Sequence, residues 1–219
     1  LSAAANKVAS SAPPTNSHER RNLGGRIWCI FIPFLAFLNI IRLYEFFWQK
    51  TIMDENKKKL TLRMILYGIY VMTAKDSDGN VGAGTVNWVM QTSFDPPLVA
   101  IGVKINTVLY ARVKAAGQFA LNFLGKGQQR IAFGFYKPLK VDGNVIGGEP
   151  VSYGTNGAPL LDRAPAAIEC RVAECVELGD HHIIVGEVTE VHQVQLPEGR
   201  ADEAILEMKE LGDNVFYGG

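Results

Sequence analysis

Gly82-Ala-Gly-Thr-Val-Asn-Trp-Val-Met-Gln-Thr-Ser-Phe-Asp-Pro-Pro-Leu-Val-Ala-Ile-Gly-Val-Lys104 is the most informative stretch of the chain. Its first half is small, β-branched and aromatic, as strands are. Pro96-Pro97 must end that passage, because neither proline can donate a ladder hydrogen bond. Leu98–Lys104 is then apolar on both faces. One face would fill a barrel, and the other would meet a helix or a second subunit. Gly82-Ala-Gly84 lacks the third glycine of a dinucleotide fingerprint and opens no clear helix, which argues against a Rossmann site.

Working outward, Asp54 caps a short helix running to Ile65. Ile69–Lys75 reads as a strand, Asp76-Ser-Asp-Gly79-Asn80 as a turn, and Val81–Val89 as the returning strand. Beyond Lys104, a helix is predicted over Thr107–Ala116 with Gly117 at its C′ position. A strand over Gln118–Leu124 and a short helix over Gln128–Phe135 follow. Asp142–Gly157 is glycine-rich and reads as irregular. Ala166–Leu178 and His181–Gln195 read as long strands joined by a tight turn at Gly179-Asp180. Ala201–Leu211 reads as a terminal helix whose charge-rich Glu198–Glu210 side faces solvent, with Asn214–Gly219 as a tail. Strands dominate and their connections are short, which suggests a barrel or sandwich with short helices at its periphery.

The chain has 219 residues, 47% of them hydrophobic and 20% charged, as in a globular protein. Its net charge of zero hides an asymmetry. Residues 1–53 hold six basic residues against two acidic, and the remainder holds sixteen against twenty. A net-acidic main domain gives no general reason to bind nucleic acid. Residues 1–52 form an N-terminal extension with an apolar segment at 27–48, and residues 53–219 form the main domain. The apolar segment admits three readings: a membrane anchor, a cleaved targeting segment, or an upstream stretch outside the working protein. Arg42 and Glu45 argue against deep insertion. A membrane association is expected only if this segment is retained, and a cytoplasmic location otherwise.

The three cysteines do not form a disulfide scaffold. Cys170 and Cys175 are five apart, which in a regular strand sends them to opposite faces. The histidines lack metal spacing. His182 and His192 would stand roughly 33 Å apart on an extended strand, so no metal ligands are assigned. No Walker loop or nucleophile elbow is present. Backbone, hydroxyl and amide groups remain, and they suit an organic cofactor that brings its own chemistry. Asn87 is unusual within a strand, since a buried amide needs a partner. It reads either as a ligand contact or as a turn or bulge residue. Trp88 reads either as core or as cover for a ring edge.

The quoted stretch, together with Phe119-Ala-Leu-Asn-Phe-Leu124 and Gly179-Asp-His-His-Ile-Ile-Val-Gly-Glu-Val188, resembles the flavin reductase-like family in order and spacing. That family includes flavoredoxins and the reductase components of two-component monooxygenases. The resemblance implies a mainly β fold, an FMN-binding split β-barrel of Greek-key type with short peripheral helices. It also implies a homodimer that binds FMN, or sometimes FAD, near the subunit interface and reduces flavin with NADH or NADPH. By position, Thr85, Val86, Asn87, Trp88 and Val89 would face the isoalloxazine. Ser93 would lie near the ribityl chain or phosphate. Lys104, Asn106 and Thr107 would reach the phosphate, and Ala120, Leu121 and Asn122 would support the ring from the next strand. His181 would be the catalytic or orienting residue on the nicotinamide side. Relatives often carry a histidine after the Lys104 strand, where this chain has Asn106-Thr-Val-Leu-Tyr110. Alternatives are a flavoredoxin-like protein that retains FMN and exchanges electrons with a protein partner, or a non-catalytic flavin-binding module.

Overall fold

The computed structural model describes residues 53–195 and 197–219. The extension 1–52, with its apolar segment, lies outside the described residues. Asp54–Gly219 forms one compact unit.

Asp54 begins α1 (Glu55–Leu62) by accepting hydrogen bonds from the backbone N–H groups of Asn56 and Lys57. The chain then enters β1 (Tyr70–Lys75) and β2 (Val81–Val86). The expected strand over Val81–Val89 is broken: β2 ends at Val86 and β3 (Val89–Ser93) begins after only Asn87 and Trp88. The sheet explains the break. With β4 (Leu98–Lys104), β5 (Gln118–Phe123), β10 (Ala166–Val176) and β11 (His181–Gln193), these strands form a sheet ordered β2-β1-β5-β10-β11-β4-β3. Its two edge strands are consecutive in the chain, so the sheet must curl until they nearly meet. The result is a mainly β split barrel whose seam is spanned by Asn87-Trp88.

The barrel interior holds Met72, Val86, Ile101, Val103, Phe119, Leu121 and Ile184, packed between opposed strands. Helix α2 (Val108–Ala116) buries Leu109 and Val113 in the same cluster. It stops at Gly117, whose φ of 65° suits glycine. Val71 on the other face of β1, with Ile69 just before the strand, enters a second cluster with Ile131, Phe135, Ile146 and Leu206. Strands apolar on both faces thus serve two cores.

Four further expectations are corrected. The Asp142–Gly157 region is a small antiparallel sheet of β6 (Val141–Asp142), β7 (Val145–Ile146), β8 (Glu149–Tyr153) and β9 (Pro159–Leu161), lying beside α3 (Gln129–Gly134) in the second cluster. Its glycines mark turns at Gly143 and Gly147-Gly148 rather than disorder of the ladder. The β10–β11 turn is wider than two residues, because Val176 pairs with Ile183 while His181 and His182 pair with Lys104 and Val103 of β4. A bulge between Val172 and Glu174 shifts the strand's alternation, so Cys175 packs against the same core as Cys170. The predicted terminal helix is two short 3₁₀ turns, Ala201–Glu203 and Met208–Leu211. Between them Gly125 and Ile205 form a bridge, and Gly68 bridges to Glu207, so extended pairing interrupts the helix. Among the described residues, no helix is long and apolar enough to cross a membrane.

Candidate functional site

The seam fixes the site. Val89 N–H donates to Asn87 O at 3.0 Å, a tight turn that lifts Trp88 out of both strands. Trp88 O then accepts from Gly102 N–H at 2.9 Å. The indole lies on the outer face of β4 over Gly102, where an added Cβ would come within 2.9 Å of it. Only glycine leaves that space. Leu98, Ala100, Gly102 and Lys104 share this outer face, since Val99, Ile101 and Val103 point into the core.

His181 pairs with Lys104 and faces the same way. Its ring lies 4.5 Å from the Trp88 ring at 51°. Asp180 Oδ1 is 2.9 Å from its Nδ1, and the Tyr217 hydroxyl is 2.6 Å from its Nε2. The hydrogen bond to His181 holds the Asp180 carboxyl below its usual range. Burial, then the Asp180 charge, pushes the Tyr217 phenol upward, so it stays protonated. Trp88 Nε1 is buried and has no hydrogen-bond partner. An orphaned buried donor is costly unless something fills its place.

The residues singled out in the sequence are distributed as follows. Asn87, Trp88 and His181 gather around Tyr217: Asn87 donates its side-chain N–H to Tyr217 O at 3.3 Å. Thr85 and Val86 end β2 at the seam. The Thr85 hydroxyl is committed, donating to Ala132 O at 2.7 Å. Val89 and Ser93 bound β3 and pair with Ile101 and Leu98. Lys104, Asn106 and Thr107 lie at the β4–α2 junction. Thr107 is the α2 cap, accepting from Tyr110 N–H and donating to Lys104 O, so its hydroxyl is spent within the chain. Lys104 is exposed, beside the free N–H groups of the first turn of α2.

Ala120, Leu121 and Asn122 are not on the strand next to β2, because β1 lies between. All three are fully buried. Asn122 is satisfied internally, donating to Val71 O at 3.1 Å and accepting from Leu161 N–H at 2.8 Å. Their expected place beside the ring is therefore corrected: they are core residues.

His182 points opposite to His181, as alternation requires, and meets the Tyr110 hydroxyl at 2.6 Å. Cys175, Glu177 and His182 converge closely enough to hold a metal ion, which spacing in the sequence did not suggest. Lys114 and Tyr110 already engage Glu177 and His182. The Cys170 thiol is pushed up to about 12 by burial and then by the Glu169 charge, which keeps it inert.

Sequence reasoning missed Tyr217. The signal was present as Phe216-Tyr217, an aromatic pair in an otherwise small and polar tail. A cavity of about 910 Å³ lies elsewhere, lined by Tyr70, Phe123, Lys126, Gln193 and Ile205 among others. Volume alone would choose it. Of the two orphaned buried donors among the described residues, Arg112 Nε lies on α2, whereas Trp88 Nε1 lies at the seam with the exposed lysine and the fixed histidine.

Comparisons with known proteins address the family. The model of the flavin reductase like domain matches residues 62–206. An NADH:riboflavin 5'-phosphate oxidoreductase of Streptomyces pristinaespiralis is 30% identical over 125 residues, covering 56% of this chain and 69% of that protein. A flavin reductase of Pseudomonas putida is 29% identical over 124 residues, covering 57% and 71%. Among solved structures, the NADH:FAD oxidoreductase of Streptomyces globisporus C-1027 superimposes with a TM-score of 0.56 at 30% identity, covering 66% of this chain and 87% of that one. The chain spans between about a fifth and about a half of the length of the first curated relatives it matches.

Proposed function

We propose, on the premise that the chain belongs to the flavin reductase like family, that it binds FMN at the barrel seam and reduces flavin with NADH or NADPH. The observation that carries this reading is the donor set at Asn87-Trp88. A buried indole N–H without a partner lies beside a stretch of edge-strand main chain, and an exposed lysine follows along the same face. A flat, acceptor-rich ring with an anionic tail fits that set, and FAD presents the same ring and phosphate.

When bound, the flavin supplies two-electron chemistry, accepting hydride from the nicotinamide at N5. The chain's own residues bind and orient. The main chain of Thr85–Val89 faces the ring edge. Trp88 covers one side with its ring. Lys104, Asn106 and the first turn of α2 attract the phosphate by charge and by the helix dipole. Ser93 flanks the ribityl path. His181 lies on the nicotinamide side and orients rather than transfers a proton, since hydride transfer needs no protein base there.

Homodimerisation belongs to the same reading. Beyond Trp88, the outer face continues through Ala100, Val185, Ile183 and Met90, of which Met90 is 63% exposed. An apolar strip of this kind on a two-core barrel suits a second copy. Reduced flavin would pass to a monooxygenase or another electron-acceptor protein.

The test is NADH or NADPH oxidation by the purified protein with and without added FMN. Oxidation that requires FMN supports the reading. Tightly retained FMN without oxidation of either nucleotide would make it an electron-transfer flavoprotein. Failure to bind flavin at all would leave only a domain that lacks the activity.

A further inference from the structure

We infer that Tyr217 is a positioning residue for His181, locking its imidazole in one orientation and one tautomer on the outer face of the seam. The inference rests on the proposed reading of that site as a flavin and nicotinamide site. The tail is fastened on both sides of Tyr217. Asn87 holds its carbonyl, as described, and Gly218 lies against the Trp88 indole. On the other side, Arg63 Nε donates to Gly218 O at 3.3 Å, and its guanidinium sits 4.1 Å from the Phe216 ring centre. Tyr217 is thus presented from a held backbone, with its ring 5.7 Å from both Trp88 and His181.

The hydrogen-bond pattern then fixes the histidine. Asp180 at Nδ1 is a carboxylate and can only accept, so Nδ1 carries the hydrogen. Tyr217 at Nε2 is a protonated phenol and donates to the remaining lone pair. A half-turn flip of the ring would place carbon against both partners and lose both bonds. Asp180 alone is a weak anchor, since its side chain is 85% exposed while His181 is only 12% exposed. Tyr217 supplies the second half of the clamp, from a backbone that is itself held. One consequence is specific: Nε2 is occupied, so His181 meets a nicotinamide with its ring rather than acting as a base through that nitrogen. Tyr217 therefore belongs to the site although it is far from it in sequence.

Tyr217→Phe removes one oxygen and keeps the ring packing. The first readout needs no substrate: imidazole ¹⁵N shifts of His181 in the full chain. In its neutral ring, wild type is expected to show the single Nδ1–H tautomer, and Y217F a mixture of tautomers. The second readout is kinetic. Y217F is expected to lower kcat for FMN-dependent NADH oxidation about fivefold, the size of one neutral hydrogen bond, with the KM for FMN unchanged. In a His181→Asn background the same substitution is expected to change nothing further. Identical tautomer populations in wild type and Y217F overturn the inference. So does a kcat loss that is additive with H181N. Should wild type show no FMN-dependent oxidation, the functional reading fails, and the ¹⁵N result still decides whether Tyr217 holds the ring.

Discussion

Two polar clusters on this sheet differ in how completely the chain satisfies them. Glu169 of β10 is fully buried, and four donors surround its carboxylate: the Thr155 and Asn156 N–H groups at 2.9 and 2.6 Å, the Thr155 hydroxyl at 3.2 Å, and His192 Nε2 at 2.7 Å. It ties the 154–158 turn to the sheet, and Gly154 packs so close that a Cβ would overlap the carboxylate. At the seam the reverse holds. Trp88 Nε1 has no partner, Lys104 is exposed, and the histidine is clamped by groups that build no core. A closed set of partners marks a structural cluster, and an open set marks a place for a ligand.

The largest expected effect breaks the closed cluster. Glu169→Ala strands its donors and is expected to cost about 3 kcal/mol in denaturant melts, while FMN affinity of the folded protein stays unchanged. Acid tests the same point. Burial alone would raise the Glu169 carboxyl, but the Asn156 N–H, His192 and Thr155 together hold it below the ordinary 4.5. Its contribution is therefore complete above pH 4.5 and is lost as pH falls through the lower folded value. Melting of Glu169→Gln is expected to depend less on pH in that window than melting of wild type; parallel curves would refute this.

At the open cluster, Lys104→Ala is expected to weaken FMN binding by about 2 kcal/mol, the scale of a charged hydrogen bond, and to leave riboflavin binding unchanged. Equal losses for the two ligands would show that Lys104 does not reach a phosphate. Gly102→Val should displace the Trp88 indole and raise the Kd for FMN about tenfold, or about 1.4 kcal/mol, with Tm little altered. A fall in Tm without a change in Kd would make Trp88 a core residue. The smallest effect sharpens the boundary between the clusters. Thr85→Val should cost about 1 kcal/mol of stability through the lost bond to Ala132 O, without weakening FMN binding.

Much of the barrel was legible because alternation and proline breaks act locally. Leu98–Lys104, α2 with Thr107 and Gly117, and the turn at Asp76–Asn80 follow from residues within a few positions of each other. The errors arose where distant pairing overrides local signals. Val81–Val89 looked continuous, but the chain must cross from one sheet edge to the other at Asn87-Trp88. Ala201–Leu211 has helical composition, yet Ile205 and Glu207 bridge back to Gly125 and Gly68. The site divided in the same way. Asn87 stood out as a polar residue in an apparent strand, whereas the place of His181 came only through the family resemblance. Asn122 was misplaced because its partners, Val71 and Leu161, are set by sheet order. Tyr217 was missed because the Phe216-Tyr217 pair marks the tail as one that packs but does not say that it packs against β11.

The most direct measurement is an experimental structure of the protein soaked with FMN. The account predicts the isoalloxazine against the main chain of Thr85–Val89 beside the Trp88 ring, and the phosphate beside Lys104 and the start of α2. A ring lodged instead in the cavity lined by Tyr70, Phe123 and Gln193, or no bound flavin at saturating FMN, would contradict it.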